Sequence, residues 1–129
     1  MTTYVHQAIK ARNRINILNQ QLERLIAETH HMVALQDDVM GARIEKKRDK
    51  MAAYEKDIMA WENIILLAEE AINTVEHADA RLALYKWYIE CKNAYEIADE
   101  MGYGISNIYR LRKQGLLLLQ ASYEEVPGA

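Results

Sequence analysis

Between Met51 and Val75 the chain places Met51, Tyr54, Ile58, Trp61, Ile65, Ala68, Ile72 and Val75 in alternating steps of three and four residues, without a break. No other feature restricts the fold as much. A strand turns every second residue to one side, whereas this step returns apolar residues to one stripe of a helix. An earlier stretch repeats the pattern: Ile15, Leu18, Leu22, Leu25 and Met32 keep the same step, interrupted only by Thr29. Its register runs back through Ala11, Ala8 and Tyr4. Seams this narrow are what coiled-coil packing requires. Pro127 is the sole proline and glycine is scarce, so little in the composition obliges a helix to stop. The expectation is an all-α chain in which residues 1–77 form a coiled-coil arm of two helices. The arm is an internal antiparallel hairpin or the seam of a homo-oligomer. The link falls near residues 36–42, where Asp37, Asp38 and Gly41 supply capping and turn chemistry, and the mixed charges from Arg43 to Lys50 form a solvated face.

Residues 78–123 are expected to form a second domain. The long helix ends near Val75 to His77, and Asp79 caps a helix over 80–91 with Leu82, Tyr85 and Ile89 as its apolar stripe. Asn93 followed by Glu96 is close to a capping box and opens the next helix. Within that helix Ala98 is small enough for close approach, and Gly102 permits the positive φ of a tight inter-helix turn. A last helix begins near Ile105 or Ser106 and runs to about Gln120, with Ile108 and Leu111 facing Ile97 and Met101. This is the spacing of a helix-turn-helix, whose second helix presents its outer face to a DNA major groove. Residues 124–129 are expected to be a flexible tail.

On an ideal helix Ser106, Tyr109, Arg110, Lys113 and Leu117 share one face, opposite Ile108, Leu111, Gly115 and Leu118. Arg110 and Lys113 suit guanine edges or phosphates, Ser106 and Asn107 suit bases or backbone, and Tyr109 suits a sugar or phosphate. Arg112 lies toward the flank, where a phosphate contact is expected. The chain carries a net charge of −3, but no acidic residue falls between Asn107 and Tyr123. Non-specific affinity scales with phosphates neutralised, so so few cations call for a dimer, a specific site or a protein partner.

The segment Arg81 to Leu119, RLALYKWYIECKNAYEIADEMGYGISNIYRLRKQGLLLL, resembles region 4 of bacterial sigma factors. The resemblance rests on a leucine-bearing helix ending in YIE, then EIA followed by MGY, then SNIYRL with further leucines behind it. With the helical arm in front, the chain resembles small phage regulators of late genes of the ArpU and RinA type. Over the arm that resemblance is one of architecture. It implies a transcription regulator that binds double-stranded DNA and has RNA polymerase as a further partner. Two departures stand out: Gly104 occupies a position where such motifs often place a Ser or Thr cap, and leucines after Gly115 replace basic residues. The alternatives are a phage small-terminase-like packaging protein, and a polymerase- or sigma-binding module that leaves DNA alone, which the acidic balance favours.

Nothing in the residues points to catalysis. His30 and His31 are neighbours about 100° apart on a helix, and His6 and His77 lack ligand partners at helical spacing. Cys91, the single cysteine, lacks the basic surroundings of a nucleophilic thiolate and is expected to be a buried structural thiol. No enzyme activity, cofactor or metal is expected. The lone cysteine and the lack of a long apolar run or a signal-peptide core lead to the expectation of a soluble protein in the cytoplasm of a bacterial host. Leu118 and Leu119 are expected in the core, with Leu116 and Leu117 on the arm, a second copy or a partner. Trp61 falls on the seam, and Trp87 is expected between motif and arm.

Overall fold

The computed structural model describes residues 2–35 and 41–124, so residues 36–40 of the expected link and 125–129 of the expected tail lie outside the described residues. The described residues are all-α. The elements are α1 (Thr2–Leu35), α2 (Gly41–Asn73), α3 (Ala78–Leu84), a π-helical turn (Tyr85–Ile89), α4 (Ala94–Met101) and α5 (Ile105–Glu124). Gly41, expected in the link, is already the first residue of α2, and Glu124, expected in the tail, is the last of α5.

Two compact units emerge from the contacts. Among the described residues, those between 12 and 63 form one, and the other joins those up to Ala11 with those from Ile64 onward, so both long helices contribute their ends to the unit that holds α3 to α5. Within residues 12–63, α1 and α2 run antiparallel. Lys47 is hydrogen-bonded to Glu28 at 2.8 Å, and Gln21 and Leu25 line a cavity with Lys50 and Tyr54. The Lys47 hydrogen bond holds the Glu28 carboxyl below its ordinary range. Seam residues Ile15, Leu25 and Ile58 are buried, and Leu18, Leu22, Met51, Tyr54 and Trp61 are half-buried. Thr29, the break in the first seam, is only 4% exposed. Its hydroxyl donates to the carbonyl of Leu25 at 2.8 Å, so the polar group is satisfied within its own helix and the seam stays closed.

In the other unit the core gathers Val5, Ala8 and Ala11 of α1, Ala68 and Ile72 of α2, Leu84, Tyr88, Ile97, Ile108, Leu111 and Leu119. The end of α2 is closed by Thr74, whose hydroxyl donates to Ala71, and by Arg81, whose guanidinium donates to the carbonyl of Val75 at 2.9 Å. The cap of α3 is His77 rather than Asp79: its Nδ1 accepts from the backbone N–H of Ala80 at 3.1 Å. Asp79 instead accepts a hydrogen bond from the Tyr103 hydroxyl, which raises the Tyr103 pKa.

The apolar stripe of α3 also differs from the expected one. Ala80, Ala83 and Leu84 are buried, whereas Leu82 is exposed. The reason is a close approach. A Cβ on Gly115 of α5 would stand 2.8 Å from two side-chain atoms of Leu84 and 3.3 Å from the carbonyl oxygen of Ala80. Leu84 occupies the space that the missing side chain of Gly115 leaves, so α3 turns Ala80, Ala83 and Leu84 inward and Leu82 outward. The helix then widens into its π turn, where Glu90 N–H donates to the carbonyl of Tyr85 and Lys92 N–H to that of Lys86. Tyr88 and Ile89 are thereby turned into the core.

Cys91 follows the π turn with a φ of 56°, left-handed and unusual for a residue other than glycine. It is exposed, against the expectation of a buried thiol, because its task is to reverse the chain between the π turn and α4. A β-branched residue pays most for this conformation, so Cys91→Val is expected to lose about 1–2 kcal/mol. Cys91→Gly is expected to melt no lower than the parent; thermal melting followed by circular dichroism compares the two. Gly115→Ala sets two magnitudes against each other. The helix gains about 1 kcal/mol from losing a glycine. Overpacking against the fully buried Leu84 costs about 1–3 kcal/mol, so a lower melting temperature is expected. With Leu84→Ala in place only the 3.3 Å approach to the Ala80 carbonyl remains, and the same Gly115→Ala change should then cost less than it does in the parent.

Candidate nucleic-acid interface

Local chemistry sets the start of α4. The Asn93 side chain accepts from the Glu96 N–H at 2.9 Å, and the Glu96 carboxylate accepts in return from the Asn93 N–H at 3.3 Å. This reciprocal box satisfies two donors at the helix start. The helix ends at Gly102, whose φ of 72° lets the N–H groups of Gly102 and Tyr103 both reach back to the carbonyl of Ala98. The chain then re-enters a helix at once. The carbonyl of Gly104 accepts from Asn107 and Ile108, opening α5. Ile97, Ala98, Ile108 and Leu111 are buried where α4 and α5 pack together.

That packing decides which residues of α5 meet solvent. Ser106, Tyr109, Arg110 and Lys113 are exposed, and Asn107 and Arg112 are half-buried. Arg110 donates a hydrogen bond to the side-chain oxygen of Asn107 one turn back. A guanidinium has five donors, so this tie steadies Arg110 while leaving others for a ligand. Arg112 is held differently. Its guanidinium carbon lies 4.2 Å from the centre of the Trp87 ring and 5.5 Å from that of Tyr109. The two rings meet edge to face at 5.8 Å. Trp87 therefore packs on α5, because the π turn brings it beside Tyr109 and Arg112.

Charge is unevenly balanced over this unit. Lys86 lies 3.6 Å from Glu90 and 3.5 Å from Glu100, and Lys92 pairs with the same two carboxylates. The hydrogen bond from Lys92 holds the Glu100 carboxyl below its ordinary range and raises the Lys92 pKa in turn. Among the described residues, Arg110, Arg112 and Lys113 have no carboxylate within salt-bridge distance. Glu90 and Glu100 thus pair with Lys86 and Lys92, while the cations of α5 have no carboxylate partner of this kind among the described residues.

A groove of about 410 Å³ opens along this face, lined by Tyr109, Arg112, Lys113, Leu116 and Leu117 of α5 and by His6 of α1. Leu117 is 58% exposed, and Leu118, expected in the core, is 40% exposed. Leu119 alone of that leucine run is fully buried, because the inward register set by Ile108, Leu111 and Gly115 arrives at 119 rather than 118. His6 and Trp87 join the expected residues here, as do Leu116, Leu117 and Gln120 of the groove lining. Trp87 gave one signal, an aromatic lying off its helix stripe, whereas His6 lies far from α5 in the chain and gave none. Compared with family models, curated proteins and solved structures, the chain matches none.

The turn itself is open to a direct check. An added Cβ meets nothing within 4 Å at either Gly102 or Gly104, so only backbone conformation separates them. Gly102→Val is expected to lose roughly 1–2 kcal/mol or more from its left-handed φ. Gly104→Ser should melt as the parent does or higher, since Ser is a good helix cap and no positive φ stands in its way.

Proposed function

We propose that this protein is a sequence-specific DNA-binding transcription regulator, with α4, the Gly102 turn and α5 acting as a helix-turn-helix. One observation carries the reading: α5 presents Arg110 and Lys113 on its exposed face and the half-buried Arg112 at its flank, all without a carboxylate partner among the described residues, while Lys86 and Lys92 are paired with Glu90 and Glu100. Cations left unneutralised beside exposed Ser106 and Tyr109 suit a polyanion that also offers base edges. In this reading Arg110 and Ser106 read bases, Asn107 steadies Arg110, and Tyr109, Arg112 and Lys113 bind the backbone. The likeness of residues 81–119 to sigma region 4 agrees with it and extends the proposal to a phage or prophage regulator that works with RNA polymerase. The long antiparallel helices serve as its scaffold.

A second reading rests on Leu117 and Leu118, which expose apolar surface one to two turns beyond Lys113. Large side chains exposed together on one helix suit a protein surface, so a polymerase- or sigma-binding module is the rival.

Selection of a bound site from random duplexes, followed by fluorescence anisotropy on that site and on scrambled DNA, separates the two. Arg110→Ala is expected to cost about 1–3 kcal/mol and to relax preference at one base position. Lys113→Ala should weaken both DNAs alike and lower the salt slope by about one unit. A double variant that binds both duplexes as the parent does would falsify the DNA reading.

A further inference from the structure

We infer that the groove between α1 and α5 is a backbone clamp: His6, Tyr109, Arg112 and Lys113 together grip a phosphodiester of the DNA strand beside the bases read by Arg110, with Trp87 behind Arg112 to position it. This rests on the proposed DNA reading and adds to it a contact from the N-terminal helix.

The arrangement is built from three elements. From α5, Arg112 and Lys113 bring two positive charges into the groove, and no described carboxylate neutralises either. From the π turn, the Trp87 ring lies under the Arg112 guanidinium at 4.2 Å. A guanidinium stacked by its face keeps its N–H edge free, and the edge is what binds a phosphate. Trp87 touches no ligand in this scheme; it is a positioning residue for Arg112. From α1, His6 is exposed on the groove wall, and its ring packs edge-on against Tyr88 at 5.8 Å with an interplanar angle of 87°. Tyr88 is buried, which raises its pKa, and Arg112 is close enough to oppose that shift. His6 is thus anchored by the buried Tyr88 on the α1 side of the groove and Arg112 by Trp87 on the α5 side.

Leu116, Leu117 and Gln120 complete the lining. The leucines displace some water beside the cations, which strengthens their attraction for a phosphate. The volume of about 410 Å³ lies within the range of small-ligand sites, so a phosphate can enter with its attached sugar. Tyr109 and Lys113 belong both to this groove and to the outward face with Arg110, so a strand held here continues across the base-reading residues.

The test uses the full chain, a selected duplex and a scrambled duplex, with anisotropy measured over a sodium chloride series and melting recorded for every variant. Arg112→Ala is expected to weaken both duplexes by about tenfold, the scale of one charged hydrogen bond, and to lower the salt slope by about one unit. His6→Ala should weaken both duplexes alike and leave base preference unchanged. Trp87→Leu should reproduce the Arg112→Ala loss with Arg112 present, and the double variant should lose no more than either single one. A merely structural role for Trp87 would not give that coincidence. Should Trp87→Leu fail to fold, Arg112→Lys takes its place, since it keeps the charge and loses the flat stack. If His6→Ala and either the Trp87→Leu or Arg112→Lys variant keep the parent's affinity and salt slope while Arg110→Ala still loses the selected site, the clamp is wrong and the DNA reading stands. The same pattern would hand the groove to an acidic helix of a protein partner. A parent chain with no affinity for either duplex overturns both.

Discussion

The close approach of Leu84 and Gly115 is the contact on which the C-terminal helices depend. Gly115 has no Cβ, so α5 lies directly against α3, and a single methyl group there would meet Leu84 at 2.8 Å. Successive residues of a helix point about 100° apart, so pinning residue 115 inward fixes the direction of every other side chain on α5. Ile108, Leu111 and Leu119 follow it into the core, while Ser106, Tyr109, Arg110, Lys113 and Leu117 are turned out. The candidate interface is thus a consequence of where a side chain is missing.

Electrostatics completes what packing begins. The chain as a whole is acidic, with a net charge of −3, yet no acidic residue falls between Asn107 and Tyr123. Glu90 and Glu100 are engaged with Lys86 and Lys92, and Glu28 with Lys47. Exposed pairs of this kind add little stability. Their larger effect is on the field, because carboxylates occupied elsewhere do not cancel Arg110, Arg112 and Lys113. The aromatic stack of Trp87 and Tyr109 gives Arg112 a neutral partner, which orders its guanidinium without consuming its charge.

Legibility in the sequence followed the range of the interactions. The capping box of Asn93 and Glu96 and the left-handed Gly102 are events within four residues, and both were readable from residue type and spacing. The two seams were readable because a period survives along a whole helix. Of the expected stripe Ile89 is buried and Leu82 is not, because the helix turns on the approach of Leu84 to Gly115, a partner far away in sequence. Asp79 looked like a cap by type, but His77 took that place and Asp79 went to Tyr103, a partner 24 residues away. Cys91 was weighed as a thiol when its backbone conformation is what matters. His6 was invisible as part of the site because only folding brings α1 beside α5.

By itself, then, the sequence determined that the chain is helical, where α4 is capped and turned, and which cations α5 carries. Each of these follows from hydrogen bonds between near neighbours or from a period of three and four residues. Only the tertiary structure decided that Leu118 stays exposed while Leu119 is buried, that Arg112 lies on Trp87, and that His6 shares a groove with Lys113. These depend on how closely one helix can approach another, and that distance is set by pairs such as Leu84 and Gly115, which are remote in sequence and meet only in the folded chain.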